Sequence, residues 1–277
     1  MKAYKVELAK EYPFLTSGEL ECILSDFPWD GENNFGWKRP AVIVVPGGGY
    51  GMVSKREGVP VASAFFAKGF QTFVLWYTPS PEQVYPGQLL QLSAAVDYVK
   101  AHAEELNVNA EEIFVVGFSA GGHLTGNLAV EYQNVSQKVG VALNCKPTAV
   151  GLGYPVISNI HGHFGSYDNL MSSYTEEAKA ELMKTLNLNE AVTKDTPPAF
   201  IWTTASDGVV PCDNALRYAL ALANEGIEYE LHVFPRGEHG ASTASLEINA
   251  EYPGLERIEP WVDMCAKFFR MYTVEKF

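Results

Sequence analysis

Cysteine is scarce in this 277-residue chain: Cys22, Cys145, Cys212 and Cys265 stand alone, with no spacing that would make a zinc clip or a redox pair. That excludes a disulfide framework and a thiolate metal site and leaves the four as core filler. Positive charge is short as well. Lys and Arg number 20 against 33 Asp and Glu, a formal charge of −13, which excludes nucleic-acid and anionic-membrane partners, since both require cations to neutralise phosphate. Apolar runs of bilayer length are missing, and residues 1–7 lack the uninterrupted apolar stretch of a secretory signal, so a cytoplasmic location is expected. The chain also lacks repeats, low-complexity tracts and linkers, so one domain over 1–277 is expected.

What is present is apolar mass, 47% of the chain with 12% aromatic, enough for a sizeable core. Strand-like runs recur at 41–45, 71–76, 113–116, 200–203 and 229–234. Helical patterns lie at 60–68, 89–102, 214–224 and 259–272, and Gly69 and Gly226 close two of them. Alternation of this kind predicts an α/β fold with a mostly parallel sheet and helices on both faces, connected by right-handed crossovers. Residues 18–27 read as leading antiparallel strands at the sheet edge. The stretch 155–198, rich in Ser, Asn, Tyr, Gly and His with one helix at 175–186, reads as a cap-like insertion over a site.

The informative string is Gly117-Phe118-Ser119-Ala120-Gly121. It is weak alone. It follows the β-branched run 113–116 and precedes a plausible packed helix at 122–130, the strand, elbow and helix order that exposes a serine nucleophile. The flanking glycines suit a turn too crowded for side chains. A serine hydroxyl needs a base, an acid to orient that base, and donors for the oxyanion. Among six histidines, His239 sits in the Pro/Gly-marked loop after the 229–234 strand, which is the base position when the chain order is serine, acid, histidine. The others have plainer readings: His102 suits a helix C-terminus, His232 lies within a strand, and His123 supports the elbow. His161 and His163 alone make a weak metal site, so neither a metal nor a cofactor is expected.

For the acid, Asp207 follows the 200–203 strand in a glycine-containing turn, at the strand end where open α/β sheets place functional groups. Asp213 is its nearest competitor and reads as helix N-terminal charge. The run Pro46-Gly47-Gly48-Gly49-Tyr50-Gly51 directly follows the 41–45 strand. Glycines let backbone approach a substrate, so the amides of Gly48 or Gly49, together with Ala120, are the expected oxyanion donors. A phosphate-cradling reading fails, because no Gly-Lys-Ser/Thr follows. Ser54-Lys55-Arg56-Glu57 reads as a capping box, with Ser54 and Glu57 reciprocal at a helix start. Tyr50 and Arg56 are the candidate substrate contacts.

Taken together, residues 46–50, 54–57, 117–122, 196–200, 207–211 and 234–240 resemble the small bacterial α/β-hydrolase esterases related to acetyl xylan and feruloyl esterases, from about Arg39 to the C-terminus. The resemblance implies an α/β-hydrolase fold with about eight strands and a serine carboxylesterase that removes short acyl groups, acetyl first, from plant-derived xylo-oligosaccharides. Ser119 would be the nucleophile, Asp207 the acid and His239 the base. Pro46 departs from the histidine that many esterases place before the glycines, and Ser206 occupies the position where some related hydrolases carry the acid. Expected partners are a small-molecule ester, an acetylated oligosaccharide among the choices, and, for a homo-oligomer, a second copy of the chain. The rival readings are an amide-cleaving hydrolase on the same triad, either a formamidase or a small peptidase, and a catalytically silent binding protein on the same scaffold.

Overall fold

A computed structural model describes residues 1–26, 37–250 and 254–274. In chain order the elements are β1 Lys2–Glu7, α1 Leu8–Glu11, β2 Glu19–Leu24, β3 Arg39–Val45, α2 Val59–Phe66, β4 Gln71–Trp76, α3 Gly87–Ala101, β5 Val108–Phe118 and α4 Ala120–Val139. They continue with β6 Ala149–Gly153, α5 Phe164–Leu170, α6 Glu176–Leu186, α7 Leu188–Ala191, β7 Ala199–Thr204, α8 Asp213–Asn224, β8 Tyr229–Phe234, α9 Leu255–Ile258 and α10 Trp261–Arg270. The eight strands form one sheet in the order β1-β2-β4-β3-β5-β6-β7-β8. β2 pairs antiparallel with β1 and with β4, and every later pairing is parallel.

Strand alternation sorts the core into two layers. Ile43 and Val45 face Leu89, Leu92, Leu124 and Leu128, so α3 and α4 cover that side together with α8. Val42 and Val44 face Val61, Phe65, Trp261 and Phe269 of α2 and α10. Both faces of the central strands are therefore dry, which is why β3 reads as a continuous β-branched run rather than an alternating one. On the α10 side Phe114 stacks on Phe269 with ring centroids 4.4 Å apart, an offset contact that adds to the roughly 2–3 kcal/mol from burying each ring.

Two strands escape the sequence pattern. β1 is a largely exposed edge strand with charged residues, and β6 is Ala-Val-Gly-Leu-Gly, short and with glycine at two of its five positions. Packing demands those glycines: a Cβ on Gly153 would lie 2.6 Å from Phe118 Cδ1, and one on Gly151 3.1 Å from Val116 Cγ2. Of the leading antiparallel strands expected at 18–27, the structure forms one, β2, while Phe27 lies outside the described residues. The segment between β6 and β7 carries α5, α6 and α7, and Thr175 caps α6 by accepting the Ala178 N–H at 3.3 Å. No helix among the described residues is long and apolar enough to cross a membrane.

Parallel pairing has one consequence that matters most for the site. β3, β5, β6, β7 and β8 all run the same way, so the loops that follow Val45, Phe118, Gly153, Thr204 and Phe234 emerge along one rim of the sheet.

Candidate active site

Ser119 sits at the turn between β5 and α4 with φ 53° and ψ −120°, a left-handed backbone that a non-glycine residue holds only when its surroundings fix it. Three backbone bonds fix it here. Its N–H donates to Gly153 O at 3.0 Å, and its carbonyl accepts the N–H groups of His123 at 3.0 Å and Val156 at 3.1 Å. The glycines around it are needed for space: a Cβ on Gly121 would come within 2.2 Å of Val45 O, and one on Gly117 within 2.2 Å of Gly121 O.

The structure brings the three expected side chains together. Ser119 Oγ lies 2.9 Å from His239 Nε2, and His239 Nδ1 lies 2.7 Å from Asp207 Oδ2. Asp207 Oδ1 accepts the backbone N–H groups of Val209 at 2.8 Å and Val210 at 2.9 Å, so the turn itself orients the carboxylate. With an acceptor facing Nδ1, the proton of neutral His239 resides on Nδ1, and bare Nε2 faces the serine hydroxyl. Ser206 does a different job from its neighbour: its hydroxyl donates to Gly237 O and accepts the Gly237 N–H, both at 3.0 Å, bracing the loop that carries His239.

Above these residues opens a cavity of about 300 Å3, lined among others by Gly48, Gly49, Arg56, Ser119, His163 and His239. Gly48 and Gly49 take φ of 126° and 60°, and a Cβ on Gly48 would come within 2.3 Å of Met52 O, so the loop is closed to side chains there. Ala120 is the first residue of α4, where the backbone N–H has no intrahelical acceptor and the helix dipole is positive. Gly48 and Gly49 therefore present backbone without a side chain to the cavity that Ser119 also lines.

Other expected residues are placed differently. The capping box is not formed. Residues 55–57 make a single 3-10 turn, and Ser54 makes no side-chain cap. Glu57 is instead drawn inward, where its carboxylate accepts the Gly47 N–H at 2.8 Å and the Tyr154 hydroxyl at 2.6 Å. A buried carboxylate takes strong donors wherever they are offered, and those donors outcompete its own turn. Arg56 lines the cavity, with its guanidinium donating to Asn249 Oδ1 at 2.6 Å. Tyr50 is 1% exposed and is not among the residues lining the cavity. Its hydroxyl is 2.8 Å from His123 Nδ1. His161 bonds Asp213 Oδ2 at 2.5 Å and His163 bonds Ser166 Oγ at 2.9 Å. No metal-ligating cluster occurs among the described residues.

His123 occupies α4 directly behind the elbow, fully enclosed. Its Nε2 faces Leu186 O at 3.0 Å and so carries the proton, which leaves Nδ1 to accept from Tyr50. Burial lowers its pKa to about 4, against the Leu186 carbonyl, which favours the charged form. An unfolded histidine titrates near 6.5. Between those values the unfolded chain binds a proton that the folded chain refuses, so this contribution is complete above about pH 6.5 and is lost as pH falls towards 4, by about 3 kcal/mol. Urea unfolding at pH 7 and pH 4.5 should show most of that drop. The variant His123→Gln, less stable at neutral pH, should show a correspondingly flatter profile.

Sequence reasoning missed Glu57, Tyr154 and His163 as residues of this region. Their signals point elsewhere: Glu57 imitates a cap, Tyr154 follows an unrecognised strand, and His163 pairs with His161 as a weak metal site.

Comparison with known proteins places the chain. The BD-FAE family profile matches residues 32–222. The chain is 34% identical over 224 residues to an endo-1,4-beta-xylanase B of Butyrivibrio fibrisolvens, an alignment covering 79% of this chain and 35% of that protein. It is 29% identical over 205 residues to an acetylxylan esterase of Xylanibacter ruminicola, covering 72% of this chain and 40% of that one. The chain thus spans well under half the length of these two relatives. A solved acetyl ester-xyloside bifunctional hydrolase of Caldicellulosiruptor lactoaceticus matches with a TM-score of 0.81 at 30% identity, covering 97% of this chain and 96% of that one. By sequence over residues 32–222, and by an eight-stranded, mostly parallel sheet flanked by helices, this chain belongs to the BD-FAE family and has the α/β-hydrolase fold.

Proposed function

We propose that this chain is a serine carboxylesterase that hydrolyses short acyl esters, acetyl esters foremost, on plant-derived xylo-oligosaccharides. The observation that carries the reading is the continuous relay Ser119 Oγ, His239, Asp207 at 2.9 and 2.7 Å, opening into a cavity beside the Gly48–Gly49 backbone. His239 Nε2 takes the hydroxyl proton as Ser119 Oγ bonds to the ester carbonyl carbon, and the carbonyl electrons move onto oxygen. That oxyanion is held by the Ala120 amide and a Gly48 or Gly49 amide, each worth about 3 kcal/mol in such settings. The intermediate collapses, the alcohol leaves with the proton from His239, and an acyl-serine remains. Water then repeats the sequence with His239 as base, releasing the acid and restoring Ser119. Asp207 holds the imidazole in the tautomer that both halves require.

The acyl and alcohol preferences rest on the modest cavity and on relatives named as an acetylxylan esterase and an acetyl ester-xyloside hydrolase. A panel of acetyl, butyryl and feruloyl esters beside acetylated xylo-oligosaccharides tests them. The expected order of kcat/KM is acetyl above butyryl above feruloyl, with acetate released from the oligosaccharide. Faster turnover of the feruloyl than of the acetyl ester, or no acetate released from the oligosaccharide, would reject the assignment.

A further inference from the structure

The buried carboxylate of Glu57 touches both halves of the candidate machinery, and nothing in the triad reading uses it. Glu57 is 4% exposed yet lines the same cavity as Ser119 and His239. One oxygen, Oε2, accepts the N–H of Gly47, the residue leading into the Gly48–Gly49 backbone. Gly47 is wedged there: a Cβ on it would stand 2.9 Å from Glu57 Oε2, 2.9 Å from Ser119 Cβ and 2.7 Å from Phe118 O. The other oxygen, Oε1, accepts the Tyr154 hydroxyl, whose oxygen in turn accepts the Ser242 N–H at 3.0 Å. The Tyr154 ring meets the His239 ring edge-on, with centroids 4.9 Å apart. Ser242 Oγ closes the circuit by donating to Arg56 O at 2.6 Å.

We propose that Glu57 is a positioning residue that couples the two loops of the site, fixing the oxyanion loop through Gly47 and the His239 loop through Tyr154 and Ser242. The proposal rests on the triad reading above and deepens it. The chemistry of the contacts makes the carboxylate hard to replace. Gly47 N–H is only ever a donor, and the Tyr154 oxygen already accepts from Ser242, so its proton must go to Glu57. Both oxygens at position 57 must therefore be acceptors. In Glu57→Gln, one of them becomes an NH2 donor. Facing Gly47, it opposes an N–H. Facing Tyr154, it leaves the phenol proton without an acceptor. One loop is released in either orientation, and a displacement of about 1 Å at reacting groups costs on the order of 100-fold in rate.

The test compares wild type, Glu57→Gln, Tyr154→Phe and the double variant on a short acetyl ester. Burst titration of Ser119 counts active molecules and thermal melts follow the fold. The expected result is a loss in kcat per active site of about 10- to 100-fold for Glu57→Gln with KM changed by less than about 3-fold. A smaller loss is expected for Tyr154→Phe, which keeps the ring against His239, and the double variant should lose less than the product of the two, because they share one network. Wild-type kcat per titrated site in Glu57→Gln would overturn the proposal. Should that variant not fold, wild-type kcat in folded Tyr154→Phe overturns it instead. Ser119→Ala run alongside separates the levels: turnover surviving there defeats the triad reading, and the coupling role with it, whatever the Glu57 variants do.

Discussion

Ser119→Ala should fold as the wild type does and hydrolyse short acyl esters at least about 10⁴-fold more slowly. The substitution removes one oxygen and adds no atom. Backbone bonds to Gly153, His123 and Val156 hold the strained turn, and none of them uses the side chain. The expected change in stability is within about 0.5 kcal/mol. What disappears is the one atom placed 2.9 Å from His239 Nε2. A melt within a few degrees of wild type combined with loss of both turnover and fluorophosphonate labelling is the expected pair of results. Full turnover in a clean preparation would remove Ser119 from the reaction.

Asp207→Asn should be almost as damaging, by about 10⁴-fold in kcat, through a proton in the wrong place. Asp207 uses Oδ1 for the Val209 and Val210 N–H groups and Oδ2 for His239 Nδ1. Asparagine keeps its one carbonyl oxygen on the two amides, because an NH2 there would oppose two donors. Its NH2 then faces His239 Nδ1, which must become an acceptor, and the ring proton moves to Nε2. An Nε2–H points at Ser119 Oγ and cannot accept its proton. Geometry and melting temperature stay close to wild type while the rate falls. A modest loss, below about 10-fold, would mean that Asp207 does not set the tautomer.

Much of this site was legible because it is built from local conflicts between sequence and regular structure. Gly-x-Ser-x-Gly after a β-branched run, three glycines after another, and a Pro/Gly-marked loop around His239 each end a readable run with residues that regular structure disfavours. Each also lies just past a strand whose apolar run was readable. Glu57 was not legible, because its partners are 10 and 97 residues away and its local context imitates a helix start. Tyr50 reads as a substrate contact from its position beside the glycines, whereas its side chain is buried against His123. β6 escaped notice because the glycines that let Phe118 and α10 close on it also removed its strand character.

The order of apolar runs and turn residues along the chain was enough to settle an α/β architecture, the elbow at Ser119 and the loops that could serve it, since periodicity and backbone permissiveness are local properties of sequence. Which atoms meet was decided only by folding. Parallel strand order carries residues 119, 207 and 239 to one rim, and side-chain reach at hydrogen-bond distance depends on every layer packed beneath them.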